Sequence, residues 1–290
     1  MEKLFLIIPV FNRYTYIFSL LDNLLSQEFK EFSVIIVDHG TIKINFSCYE
    51  AKRITVIKAS SSLWWTGAVN IGVNYVLSNK VSDETFILIL NDDVVLDKDY
   101  LCKMYEAGQH NPESMICSSC LNIQTNKLMY AGFHLNKIKA RFEPLFKDWL
   151  PEQIQADLVK SDILVGRGLL IPIHILKKIG LFNEVLLPHY GADSEFSWRA
   201  SQRGVSLYFS KNAILKTKLK DEKIYEFQQN LLKFISNIKK PGNMPAVFNF
   251  ALICFNRYYA IYYITINFIR HYLSYLKRLL CKFFRKLPLR

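Results

Sequence analysis

Apolar residues recur along the chain in two alternating rhythms. Leu4 to Val10, Phe32 to Val37, Ile54 to Lys58 and Phe86 to Leu90 are near-continuous apolar runs. Runs of this length and continuity predict strands buried on both faces. Between them the spacing changes. Ile17 to Gln27 brings Leu20, Leu21, Leu24 and Leu25 to one side of a helix, and Ala68 to Leu77 predicts a second helix after the loop at Ser60-Ser61-Ser62. Asp99 is placed to cap the next one. Strands alternating with helices predict an α/β chain with a mostly parallel central sheet flanked by helices.

The second half is less regular. Ile163-Leu164-Val165 leads to Gly166-Arg167-Gly168 and a further apolar run at 169–172. Ile175 to Ile179 predicts a short helix stopped by Gly180. Another helix begins at Asp193-Ser194-Glu195 and runs through Trp198-Arg199. From about residue 244 the texture shifts to Phe, Tyr and Ile broken by Arg257 and Arg270, followed by a basic end. A spanning helix needs about 20 nearly uninterrupted apolar residues, so interfacial amphipathic helices fit this stretch better. Two units are expected: a catalytic domain over 1–220 and a helical, membrane-associating extension over 221–290.

Charge sharpens that boundary. The formal net charge is +12, yet Glu226 is the last acid and residues 227–290 carry eleven Lys or Arg. The first 226 residues are nearly balanced. Basic residues beside an aromatic and aliphatic segment point to an anionic membrane surface as partner and away from nucleic acid. Packing on the core or in a homodimer is the other use of such helices. The start, with Pro9 soon after a short apolar run, reads as a first strand rather than a signal peptide. The expected location is cytoplasmic, peripheral on the inner face of the cell membrane. The six cysteines are scattered, and Cys117 and Cys120, spaced as half a zinc or redox site, read as packing residues.

The candidate chemistry sits at strand ends. Phe86 to Leu90 runs straight into Asn91-Asp92-Asp93. Ionised groups are costly to bury unpaired, so two acids here imply an opening onto a site. Paired acids suit a hard cation such as Mn2+ or Mg2+, which in turn suits a phosphate-bearing substrate. Asn12-Arg13 and Asp38 end two further strands and fall on the same rim, where ligands bind in open α/β sheets. Asp38 would accept hydrogen bonds from a ribose or base edge, or cap a turn with Gly40. Gly67, at a helix start after Trp64-Trp65, could receive a pyrophosphate. Asp193 follows Gly191-Ala192 and suits a general base facing an acceptor hydroxyl. Glu195 has an alternative role, pairing with Arg199 one helical turn on.

In order and spacing, these pieces resemble the family 2 inverting glycosyltransferases of GT-A fold, especially bacterial rhamnosyltransferase-like enzymes. The resemblance rests on residues 8–13, Val37-Asp38, Trp65-x-Gly67-x-x-Asn70-x-Gly72, Asn91-Asp92-Asp93, Gly166-x-Gly168, residues 180–184 and Asp193-x-Glu195-Phe196-x-x-Arg199-Ala200. It implies transfer, with inversion, from dTDP-rhamnose or a UDP-sugar to a hydroxyl of a lipid-linked or polysaccharide acceptor in cell-surface glycan assembly. By that resemblance Pro9, Phe11, Asn12, Arg13, Asp38, Gly67, Asn70, Asn91 and Asp92 would face the donor nucleotide. Asp93 would hold the divalent cation, and Asp193 would be the catalytic base. Trp65, Gly166, Gly168, Glu195 and Arg199 would lie on the sugar or acceptor side. Two departures stand out. Ala192 replaces a common acid before the base, and Lys216 stands where many members carry a metal-binding histidine. A nucleotidyltransferase and an inactive transferase-like binding protein are the alternatives.

Overall fold

The computed structural model describes residues 2–42, 45–47, 49, 53–79, 81–217, 231–237 and 243–285. The four N-terminal apolar runs form strands β1 (Leu4–Val10), β2 (Phe32–Asp38), β3 (Ile54–Lys58) and β4 (Phe86–Ile89). They pair in parallel, β3 on β2, β2 on β1 and β1 on β4, with Val10 opposite Asp38 and Ile7 opposite Ile89. Parallel pairing aligns the carboxyl ends of β1, β2 and β4, so the three expected strand ends share one rim.

The connecting helices are α1 (Tyr14–Leu25), α2 (Trp65–Ser78) and α3 (Tyr100–His110). Both predicted helices begin earlier than their apolar spacing suggested, α1 at Tyr14 and α2 at Trp65. Gly72 lets α2 lie directly on the sheet, since a Cβ there would come 2.5 Å from Ile7 Cγ2. Asp99 does precede α3, but its side chain makes no cap bond. Its carboxylate pairs instead with Lys103 at 2.7 Å.

The second half extends the same sheet. After β5 (Val95–Leu96) come β6 (Ser114–Asn122), β7 (Leu128–Tyr130), the hairpin β8 (Phe133–Asn136) and β9 (Arg141–Pro144), β10 (Leu158–Lys160), β11 (Leu169–Pro172) and β12 (Ser206–Thr217). The sheet order is β10-β12-β6-β11-β4-β1-β2-β3, with β11 antiparallel to both its neighbours. Residues 163–165 form no strand. Helix α4 (Ile173–Ile179) ends at Gly180, whose φ of 89° favours glycine. Helix α5 (Ala192–Ser201) packs beside β12. Apolar side chains from both sheet faces form two buried clusters, which Cys117 and Cys120 join as free thiols.

Helices α6 (Leu231–Ser236), α7 (Met244–Cys254) and α8 (Arg257–Arg285) complete the described chain. The proposed division at 220/221 lies outside the described residues. Arg257 starts α8, so the apolar stretch divides into two helices there, α7 and α8. Both helices dock by their inner faces. Phe250 of α7 enters the main core, and Trp198 Nε1 donates to the Cys254 carbonyl at 3.0 Å. On α8, Tyr259 Oη and Asn267 Nδ2 donate to carbonyls of Lys137 and Ala140 beside the β8–β9 turn. The opposite face of α8 is exposed and apolar, including Tyr258, Ile261, Phe268, Ile269 and Leu273. Among the described residues no helix is long and apolar enough to cross a membrane.

Candidate functional site

The rim formed by β1, β2 and β4 carries a compact charged cluster. Asn12 adopts a φ of 55°, a left-handed turn that asparagine tolerates, and directs the chain from β1 into α1. The next residue, Arg13, reaches across the rim. Its Nη1 lies 2.8 Å from Asp92 Oδ1 and 3.2 Å from Asp93 Oδ2. Both carboxylates are largely buried, with side chains 6% and 7% exposed. A second guanidinium approaches from the other side, Arg167 Nη2 standing 3.7 Å from Asp93 Oδ1. The acidic strand end is therefore bracketed by two arginines.

At the end of β2, Asp38 is fully buried. Its Oδ1 accepts from the Gly40 amide at 3.0 Å, the turn contact considered above, and Oδ2 pairs with Lys58. Asn12 joins this corner by accepting from the Thr41 amide at 2.9 Å and donating to Thr41 Oγ1 at 3.0 Å. Phe11 is 45% exposed and its ring lies 5.1 Å from that of His39. Burial lowers the His39 pKa below its ordinary value, so the ring is neutral near pH 7 and Nδ1 donates to the Leu63 carbonyl at 2.9 Å. An exposed aromatic beside a buried carboxylate can stack a planar base while the polar corner takes its sugar. Pro9 lies inside β1, opposite Val37, and Asn91 is half-buried just past β4.

Asp193 sits in the first turn of α5. Its Oδ2 accepts from the Gly166 amide and its Oδ1 from the Ser194 amide, each at 2.8 Å. Burial pushes the Asp193 pKa above the usual carboxylate value, against the opposing effect of those two amides. Gly166 is held by contact: a Cβ there would come 2.3 Å from Trp65 Cζ2. Gly168 has a φ of 80°, and a Cβ on it would meet Ser118 Oγ at 2.3 Å. The 166–168 segment is thus pinned at both ends. One end anchors Asp193 while the residue between sends its side chain to Asp93.

Several residues expected at the ligand are engaged in packing instead. Asn70 is buried, with Nδ2 donating to the Phe182 carbonyl and to Glu184 Oε2, and Oδ1 accepting from the Phe182 amide. Gly67 faces Leu63 and Glu184, and the first turn of α2 is closed by Thr66, whose amide donates to the Pro188 carbonyl. One amide of the helix start that was read as a pyrophosphate seat is therefore taken by the chain itself. Glu195 is 1% exposed and pairs with Arg199 at 2.7 Å, while Arg199 also donates to carbonyls of Ile179 and Leu181. That pair ties α5 to the end of α4, the structural alternative raised above. Lys216, at the place of the metal-binding histidine, has its Nζ 2.6 Å from Asp97 Oδ1.

A divalent cation fits here only as a shared ligand. Among the described residues no group of three or more His, Cys, Asp or Glu could hold a metal by itself. One or two carboxylates completed by substrate phosphates and water suffice for Mg2+ or Mn2+, and Asp93 with Asp92 supplies that number. The residue sequence reasoning passed over is Arg167. Its signal was a lone charge between two glycines inside an apolar stretch.

The model of glycosyl transferase family 2 matches residues 5–166, more than half of the chain and the whole of this rim. The chain belongs to that family. Its fold is GT-A. The GT-A structure of GalNAc-T7 with UDP, GalNAc and Mn2+ superposes with a TM-score of 0.62 at 11% identity, covering 87% of this chain and 47% of that one. S. aureus TarS 1–349 in complex with UDP-GlcNAc gives 0.59 at 14% identity, covering 94% and 73%. The uncharacterized glycosyltransferase RT0329 of Rickettsia typhi is 26% identical over 232 residues, 74% of this chain. The chain spans 64% of the length of that curated relative.

Proposed function

We propose that this chain transfers a sugar from a nucleotide-sugar donor to a hydroxyl of a lipid-linked or glycan acceptor, with inversion, in the assembly of a cell-surface glycan. The observation that carries the reading is the 166–168 segment, which joins a buried, proton-seeking carboxylate to an acidic strand end built for a cation and diphosphate. The neighbours solved with UDP or UDP-GlcNAc support a UDP-sugar as donor, and dTDP-rhamnose remains the other donor to test.

The donor base stacks on Phe11 and its ribose meets the Asp38 corner. Asp93, with Asp92, would hold a divalent cation, whose charge would steady a departing diphosphate. Asp193 takes the proton of the acceptor hydroxyl as that oxygen bonds to the anomeric carbon. The bond from that carbon to the diphosphate oxygen breaks, and the nucleoside diphosphate leaves from the opposite face. Inversion follows because one carboxylate acts as base and no covalent sugar intermediate is formed. The exposed stripe of α8 and the basic C-terminal segment support attachment at the cytoplasmic face of a membrane.

The test is a panel of nucleotide-sugars, each with Mn2+ or EDTA, scored by thermal stabilisation and by slow hydrolysis of the sugar. One donor class should stabilise the protein and release its nucleoside diphosphate. Release of pyrophosphate with transfer of the nucleotide would overturn the reading in favour of a nucleotidyltransferase.

A further inference from the structure

Four formal charges meet at the end of β4: Asp92 and Asp93 against Arg13 and Arg167. The cluster is neutral as it stands, and it is half enclosed. Arg167 makes the longer ion pair of the two arginines, and beside Asp93 its neighbours are Tyr130 and Cys120. Its side chain is only 23% exposed, its closest approach to Asp93 is 3.7 Å, and its Nε is buried with no hydrogen-bond partner among the described residues. Its backbone has little freedom to relax, being flanked by Gly166 against the Trp65 ring and Gly168 against Ser118. A guanidinium has five donors in a planar fork that matches phosphate oxygens. A fork held this rigidly, with a buried N–H unspent, calls for an anion.

We propose that Arg167 binds the diphosphate of the donor and thereby makes the divalent cation and that diphosphate bind together. This rests on the nucleotide-sugar reading above and deepens it. A cation entering alone would add two positive charges beside two arginines whose partners are the same carboxylates it needs. A diphosphate entering alone would meet the two carboxylates. Each ligand removes the charge that opposes the other, so each strengthens the other's binding by the same factor, as linkage requires. Arg167 sets the size of that factor because it is the cation that contributes least to the resting cluster.

The experiment uses the full chain and measures Mn2+ binding by the paramagnetic signal of the free ion, and UDP and dTDP binding by calorimetry. Arg167→Gln should weaken UDP or dTDP binding in EDTA by roughly ten- to hundredfold, the loss expected for a charged hydrogen-bonded contact. The same variant should bind Mn2+ alone several-fold more tightly, because a positive charge has gone. A merely destabilised protein would lose affinity for both. Arg167→Lys keeps the charge but not the fork. It should bind Mn2+ alone like wild type and nucleoside diphosphate more weakly, and it serves as the deciding variant if Arg167→Gln does not fold. Unchanged nucleotide affinity in both variants overturns the proposal, as does unchanged Mn2+ affinity in a folded Arg167→Gln. Wild-type protein that binds neither nucleotide under any condition overturns the donor reading and the proposal with it, an outcome distinct from a silent Arg167.

Discussion

The Gly166 amide donates to Asp193 Oδ2 across 2.8 Å, and this bond sets both the direction and the basicity of the carboxylate. It holds Oδ2 toward the segment that leads to Arg167. It also limits a rise in pKa that burial would otherwise make larger. A carboxylate whose pKa is raised is a stronger base than an exposed one.

Asp193→Asn should therefore lower the rate of transfer by about 10²- to 10⁴-fold while leaving donor affinity nearly unchanged. In wild type the pH dependence has a definite sign. Burial raises the Asp193 pKa, so the base gains its proton at a pH above the usual carboxylate range of about 4. Activity is full above that raised value and falls as pH drops through it. A pH profile of kcat/KM flat down to ordinary carboxylate pKa values, or an Asn variant of normal rate, would remove Asp193 from the reaction.

Asn70→Ala should cost stability rather than donor affinity. The substitution strands the buried Phe182 amide and carbonyl and frees Glu184, at about 1–3 kcal/mol for unsatisfied buried groups. Chemical denaturation would show the loss as a lower midpoint with unchanged slope. A variant of wild-type stability with weakened nucleotide binding would return Asn70 to the donor groove.

The contrast between Asn70 and Asp93 marks how far the sequence could be read. Apolar runs and their carboxyl ends specify strand faces and a rim, because a parallel sheet leaves few alternatives, and so the cluster of Arg13, Asp92 and Asp93 was legible. A motif gives residue order but not which polar atoms the fold consumes. Asn70, Gly67, Glu195 and Arg199 all lie within the resembling motifs, yet Asn70 bonds to Phe182 and Glu184, Gly67 lies against Leu63, and Glu195 pairs with Arg199, which bonds to the carbonyls of Ile179 and Leu181. Arg167 was passed over for the converse reason. Its partner Asp93 comes from a strand seventy-odd positions earlier, a pairing that only the antiparallel contact of β11 with β4 creates.

Gly72→Ala should destabilise by about 1–3 kcal/mol, the usual cost of overpacking, because the added methyl meets Ile7 Cγ2 at 2.5 Å and Val37 Cγ2 at 3.3 Å. Ile7→Ala in the same chain should cost less than it does alone, since it removes the Cγ2 and Cγ1 atoms that crowd the methyl. Thermal unfolding of the two single variants and the double variant makes the comparison. Additive losses would show that α2 is spaced from β1 by something other than Gly72.

The stripe along α8 makes the last expectation. Positions 258, 261, 262, 265, 268, 269, 272, 273, 276 and 280 fall on one side of the helix and carry no charge, while Arg257, Arg270 and Lys277 flank them. The stripe is about 33 Å long at 1.5 Å per residue, and its inner counterpart, through Ala260, Tyr263 and Asn267, is buried against the β8–β9 hairpin and α7. A helix of this kind lies in the headgroup plane, with its apolar side in the acyl boundary and its bases on anionic lipid. Ile261→Glu with Phe268→Glu should abolish sedimentation with vesicles containing phosphatidylglycerol while leaving thermal unfolding unchanged, because both side chains are exposed. Wild-type binding should weaken with added salt and with neutral lipid, since the electrostatic part is screened. If the double variant still binds vesicles, the anchor lies elsewhere; if it instead changes the sedimentation coefficient of the protein alone, the stripe joins two copies of the chain.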